Sequence, residues 1–203
     1  MTPRRLVFIS HPNVVIDPAV PITRWPLSQQ GRARMRQSLA QPWVAAVRAI
    51  YSSSEQKALD GAQILAQHLA LPITAVKALG ENDRSSTGYL PPAEFEHMAD
   101  RFFGEPASSV RGWERACDAQ ARIVRAVRGI VQSVQGDRSD GVIAIVSHGA
   151  VGTLLYCHLT GQPIDRRWDQ PGNGGGNCFG FTLAPDSVDG WWRAIDVIPS
   201  GPG

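Results

Sequence analysis

Two stretches, "VFISHP" (7–12) and "AIVSHG" (144–149), each set a histidine immediately beyond an apolar run. Runs of that composition form buried strands. His11 and His148 therefore stand at strand ends, and parallel strands would open both imidazoles to one sheet edge. A strand-end histidine serves equally well as a hydrogen-bonding loop residue. Two that face each other across a pocket can do more: one attacks an electrophile such as phosphorus while the other donates to the developing oxyanion. A third strand end, "IYSSSEQKA" (50–58), offers Ser52, Ser53 and Lys57. Lys57 falls on about the first turn of the helix that follows, where an anion is drawn to both helix terminus and ammonium; taken alone, it suits a solvated surface as well. Glu81 in "LGENDRS" is a candidate general acid, with Asp83 as its rival. Arg24 in "ITRWPLS" is a candidate bidentate phosphate ligand, and equally a partner for Trp25 or a surface carboxylate.

These residues need a scaffold that gathers strand ends. Residues 5–10 read as a short buried strand, followed by a loop with four prolines. Ser28 is placed to cap a helix running to about Leu39. Strands are expected at 47–52 and in "PITAV", flanking a helix capped by Ser54 with Leu59, Ile64, Leu65 and Leu69 at helical spacing. Residues 80–112 are irregular apart from a helix in "PAEFEHMADRFF", and look like an insertion over one end of the sheet. A long helix from Trp113 to Val134 carries Ile123, Val127, Ile130, Val131 and Val134 on a stripe. "DGVIAIVSHG" then reads as a turn and a strand, with a helix resuming at once and ending at Gly161. "CFGFTLA" and "WWRAIDVI" are expected as two late strands joined by a turn in "PDSVDG". Strands alternating with helices predict a single α/β domain over 1–203, a three-layer αβα sandwich with a mainly parallel central sheet. Ligands of such sheets sit outside the carboxyl ends of the strands.

The bulk properties exclude several classes. A chain of 203 residues fills one core without disulfide or metal support, and a net charge of +2 implies neither nucleic acid nor an anionic membrane. Lys57 and Lys77 are the two lysines, so the basic residues are otherwise arginines, a bias that suits carboxylate or phosphate recognition. No run approaches the length of a membrane span, and His11 and Pro12 interrupt the first apolar stretch before a signal-peptide core is complete. Three scattered cysteines argue against a disulfide framework or zinc knuckle and for a reducing cytoplasm. "GNGGGN" (172–177) lacks the lysine and Ser/Thr of a Walker motif and precedes a strand, so a flexible turn is expected there. Trp191 and Trp192 are expected to divide between core and an apolar surface, a candidate oligomer contact. His68, His97 and His158 read as structural or surface positions.

Order and context of these motifs resemble the histidine phosphatase superfamily, the phosphoglycerate mutase-like family, over nearly the whole chain. The family ends its first strand in Arg-His-Gly, and its histidine is transiently phosphorylated; here "SHP" stands in that place, which implies His11 as nucleophile with Ser10 for the arginine and Pro12 for the glycine. "PLSQQG" is similar to the family's Leu-Thr/Ser and helix glycine. "SSSEQKA" is similar to its "SSxxxRA", which carries the arginine's role to Lys57. "LGEND" supplies the family glutamate at Glu81, "IVSHGAVG" the second histidine at His148, and "GNCFGF" the late asparagine at Asn177. The resemblance implies phosphomonoester hydrolysis of a phosphorylated small molecule through a phosphohistidine, without metal or cofactor. Lysine cannot reproduce the planar fork of a guanidinium, so Arg24 or Arg84 is wanted at the phosphate. A phospholigand-binding or regulatory protein with reduced catalysis, and a phosphomutase, are the alternatives. The leaving group would be selected by 82–111, where Tyr89, Phe95, Phe102 and Phe103 offer an aromatic wall.

Overall fold

The computed structural model describes residues 4–134 and 141–199; the expected turn at 140 lies outside them. The elements follow the order β1 (Arg5–Ser10), α1 (Gln29–Gln37), β2 (Val47–Ser52), α2 (Gln56–Leu69), β3 (Ile73–Ala75), α3 (Pro92–Gly104), α4 (Ala116–Ser133), β4 (Val142–Ser147), α5 (Gly149–Leu159), β5 (Asn177–Thr182), β6 (Ser187–Val188) and β7 (Arg193–Ala194). The sheet runs β3-β2-β4-β1-β5-β6, with β7 also on β5. The first four are mutually parallel, while β5 to β7 pair antiparallel. Helices cover both faces, the three-layer αβα arrangement with a mainly parallel sheet.

The central strands carry no polar alternation because both faces are covered. Leu6, Phe8, Ile143 and Ile145 face the cluster built with α3, α4 and α5, whereas Val7, Ile9, Ala144 and Val146 face α1 and α2. Register then aligns the strand ends. Ser10 pairs with Ser147 and Ile9 with Val146, while Val146 also pairs with Ser52 on β2. The ladder continues one residue further, with His11 N–H donating to Ser147 O (3.0 Å) and Ser53 N–H to Val146 O (2.9 Å). Residues 11, 53 and 148 thereby leave the sheet at one level.

Several expectations change. Ser54 is exposed, and the residue preceding α2 in extended conformation is Glu55, with Ser53 Oγ accepting the Glu55 N–H. The helix of the 80–112 segment is part of the core: Met98, Phe102 and Phe103 are buried with α4 and α5, so neither phenylalanine is free to meet a leaving group. The last region forms three short strands, because residues 187–188 pair with β5 inside the expected turn and 195–199 leave the sheet. Trp192 is buried against Phe8 and Phe179 while Trp191 is exposed. Among the described residues no helix is long and apolar enough to cross a membrane.

Candidate active site

His11 follows β1, and its ring lies 5.1 Å from that of His148, at a steep angle. His11 Nδ1 sits 3.0 Å from Pro12 O. A carbonyl only accepts, so Nδ1 carries the proton and Nε2 holds the free lone pair. Burial lowers the His11 pKa to about 3, helped by the Lys57 and Arg84 cations and opposed by the Pro12 carbonyl. His148 is fully buried and is likewise held well below the usual histidine range by burial, then by His11 and Lys57. Both rings are therefore neutral at pH 7, the form a nitrogen nucleophile requires. His148 Nε2 lies 2.8 Å from Ser53 Oγ, whose oxygen already accepts the Glu55 N–H (3.2 Å). In the tautomer in which the Ser53 hydroxyl donates to Nε2, Nδ1 carries the proton. That nitrogen is buried and has no partner among the described residues, an unspent donor beside His11.

Glu81 follows the 3-10 turn Lys77–Leu79 after β3. Its Oε1 accepts from Val151 N (3.1 Å) and Asn82 N (3.2 Å), and Oε2 from Ala150 N (3.3 Å), so the carboxyl occupies the amino end of α5. Burial raises its pKa against the pull of Arg84, and the Glu55 charge raises it further. Asp83, the rival acid, is exposed and its pKa is lowered, chiefly by hydrogen bonds from Ser85. Glu81 is the better proton donor.

Lys57 is 3% exposed, not a solvated surface residue. Its ammonium donates to Glu55 Oε2 (2.5 Å) and Ile22 O (2.9 Å). Arg84 rests over the Phe95 ring at 4.8 Å and lowers the pKa values of both histidines, which places a second cation at the site. Arg24 is not brought in: its side chain is exposed on the turn Ile22–Arg24, and the main-chain oxygen of Ile22 faces Lys57 instead. Ser10 and Asn177 are fully buried and engaged with each other. Ser10 Oγ donates to Gln170 Oε1 (2.5 Å) and accepts from Asn177 N (3.0 Å), while Asn177 Nδ2 donates to Gln170 Oε1 (2.9 Å). The two close the site from behind.

The glycine run is not a loose turn. Gly174, Gly175 and Gly176 all have positive φ and pack onto the segment that carries His11. Gly176 N–H donates to His11 O (3.1 Å), and a Cβ on Gly175 would lie 2.3 Å from that oxygen. Buried Arg34 holds the run by donating to the carbonyls of Asn173, Gly175 and Gly176 while pairing with Asp196. Arg122 does the same for the loop before Glu81, binding the carbonyls of Ala78, Gly80 and Glu81 and pairing with Glu114. Arg34, Arg122, Gln170 and Glu55 escape a sequence reading, since an isolated polar residue off an apolar stripe looks solvated. Glu55 alone had a signal, lying two residues before Lys57 in a strand-end motif.

A cavity of about 1090 Å³ opens beside the histidines, walled by Ile22, Glu55, Glu81, Asn82, Arg84 and Trp113 among others. His11 and His148 are not in its lining, but Glu55, which is, lies 3.4 Å from His148 Nε2. Its volume is at the upper end for small-molecule pockets.

Residues 21–182 match the family model described as "Histidine phosphatase superfamily (branch 1)". No curated protein matches the chain. Among solved structures, YhfR of Bacillus stearothermophilus is similar at 25% identity and TM-score 0.72, over 91% of this chain and 94% of that one. A mycobacterial glucosyl-3-phosphoglycerate phosphatase in complex with inorganic phosphate is similar at 21% identity and TM-score 0.75, over 96% and 99% of the two chains. A phosphoserine phosphatase of Entamoeba histolytica shares the fold at 16% identity and TM-score 0.70, over 96% and 100%.

Proposed function

The chain belongs to the histidine phosphatase superfamily, and from that premise we propose that it hydrolyses phosphomonoesters of small molecules through a phosphohistidine at His11. The observation that carries the reading is the pairing of a neutral His11, its Nδ1–H spent on Pro12, with a His148 whose buried Nδ1 has no partner among the described residues. His11 Nε2 attacks phosphorus in line, and the P–O bond to the alcohol breaks as Glu81 delivers its proton to the departing oxygen. His148 Nδ1–H, the Lys57 ammonium and Arg84 meet the charge on the equatorial oxygens. Glu81, now a carboxylate, takes a proton from water as that water attacks the phosphohistidine, releasing phosphate and restoring neutral His11. Ser10 and Asn177 act by fixing the end of β1, not by touching phosphate.

The test is rapid-quench labelling of wild type and His11→Ala with a 32P-phosphomonoester, quenched in alkaline denaturant because phosphoramidates are acid-labile. Label and turnover in wild type, both lost in the variant, are expected; equal label in both sinks the mechanism. The buried, fully engaged Ser10 favours a second reading, in which the site binds a phosphorylated ligand with little turnover. Tight phosphate binding by an inactive wild type would establish that alternative.

A further inference from the structure

One acidic side chain touches three of the groups the proposed reaction uses, His148, Lys57 and Glu81, yet has no part in the chemistry itself. Glu55 spends its two carboxylate oxygens on different halves of the site. Oε2 accepts from Lys57 Nζ at 2.5 Å, and Oε1 accepts from the Glu81 backbone N–H at 2.9 Å and lies 3.4 Å from His148 Nε2. Its own N–H fixes Ser53, which orients His148. The carboxylate is largely shielded, with a side chain 11% exposed, and its partner Lys57 is at 4%.

The need for such a residue follows from the chemistry of lysine. A guanidinium is planar and carries five donors in a fixed fork, so it is oriented by its own geometry; an ammonium is a point charge on a flexible four-carbon stem. Lys57 has three protons. One is held by Glu55 Oε2 and a second by Ile22 O. Those two acceptors fix the nitrogen, and with it the direction of the third proton. The Lys57 charge acts on His11, whose pKa it lowers more than any other charge does.

Resting on the phosphatase reading above, we infer that Glu55 is a positioning residue: with the Ile22 carbonyl it clamps Lys57, so that a lysine can do at this position the phosphate-orienting work that an arginine does unaided. The same carboxylate locks Glu81 in step with Lys57, tying the phosphate-binding cation to the proton donor. The lysine in place of the pattern's arginine and the acidic residue two positions before it are on this account one device.

The experiment is a double-mutant cycle on Glu55→Gln and Lys57→Arg in the full chain, with kcat, KM and inhibition by inorganic phosphate measured for each. Glu55→Gln keeps an acceptor for the Glu81 N–H while removing the charge that holds Lys57. It should lower kcat at least tenfold with KM and phosphate inhibition changed less than threefold, because the cation remains present but misdirected. Lys57→Arg alone supplies the reference kcat for the second arm of the cycle. In the double variant the self-oriented guanidinium should recover at least fivefold of the kcat lost by Glu55→Gln, a rescue that a general loosening of the loop would not give. Glu55→Asp, which keeps the charge, should be intermediate. Additive losses with no rescue, or a Glu55→Gln enzyme within twofold of wild type, would overturn the inference while an active wild type leaves the phosphatase reading standing. An inactive wild type that forms no phosphohistidine would take both down. Loss of a cooperative thermal transition in both Glu55 variants would assign the residue to folding alone and also overturn it.

Discussion

Gly175→Ala tests whether the glycine run exists to hold His11, the proposed nucleophile. The substitution adds one methyl group 2.3 Å from the carbonyl oxygen of His11, well inside contact distance, at a residue with φ of 76°. An alanine in left-handed backbone costs about 1–2 kcal/mol, and overpacking against a backbone atom adds roughly 1–3 kcal/mol. The sum, about 2–5 kcal/mol, is a large part of the ~5–15 kcal/mol by which domains are stable. With a urea m-value near 3 kcal/mol/M, a loss of about 3 kcal/mol lowers the unfolding midpoint by about 1 M. The catalytic effect is separate. Relief of the clash moves His11 O and breaks the Gly176 N–H bond to it, and a displacement of about 1 Å at a reacting group costs about 100-fold in turnover. Urea denaturation followed by fluorescence gives the first quantity, and hydrolysis of a phosphomonoester under folding conditions gives the second. Gly172→Ala is the control: nothing lies within 4 Å of its added Cβ, and its stability should change by less than about 0.5 kcal/mol. A Gly175→Ala protein with the wild-type midpoint and kcat within twofold would refute the claim that this loop buttresses His11.

Glu81→Gln should cut hydrolysis of alkyl phosphates by about 10²–10⁴, while 4-nitrophenyl phosphate, whose leaving group needs no proton, loses tenfold or less; equal losses on both would remove Glu81 from the role of acid. Restoring the family arginine by Ser10→Arg should not raise activity, because the hydroxyl is fully buried and bonded to Gln170 and Asn177; a bulky charge there should destabilise by about 2–4 kcal/mol, and a tenfold gain in kcat/KM without loss of stability would contradict this. Stability should fall on acidification, since the unfolded chain protonates His11 near its ordinary 6.5 whereas the folded chain does so only at about 3. Present in full above pH 6.5, this contribution drains away down to about pH 3, at up to about 1.4 kcal/mol per pH unit. Urea midpoints at pH 7.5 and 4.5 should therefore differ less in His11→Gln than in wild type, and identical differences would show that His11 is not held neutral. Glu81 has the opposite sign: its raised pKa gives stability that is lost as pH rises through the folded value.

The two histidines were legible because the strand signal and the residue after it are both local. Four or five apolar residues followed by Ser-His fix where each strand ends, and parallel pairing then leaves little freedom in where the imidazoles stand. Arg24 failed for the converse reason. It sits in a proline-rich loop whose path is set by an isolated bridge between Val14 and Leu27 and by the Asp60 carboxylate that accepts the Leu27 N–H, and no local pattern encodes either. Phe102 and Phe103 failed similarly, since an aromatic pair on a helix reads the same whether it faces a ligand or a neighbouring helix.

By itself the sequence determined the layered α/β architecture, through periodicity and strand-end polarity, and the identity of His11, Lys57, Glu81 and His148 as candidates for one sheet edge. Only the tertiary structure decided their states and supports. Neutral rings, a Glu81 with a raised pKa and a clamped Lys57 arise from burial and from charges brought together by chain segments tens of residues apart. Burial and electrostatic coupling depend on which surfaces meet across the fold, and local sequence patterns leave those meetings unspecified.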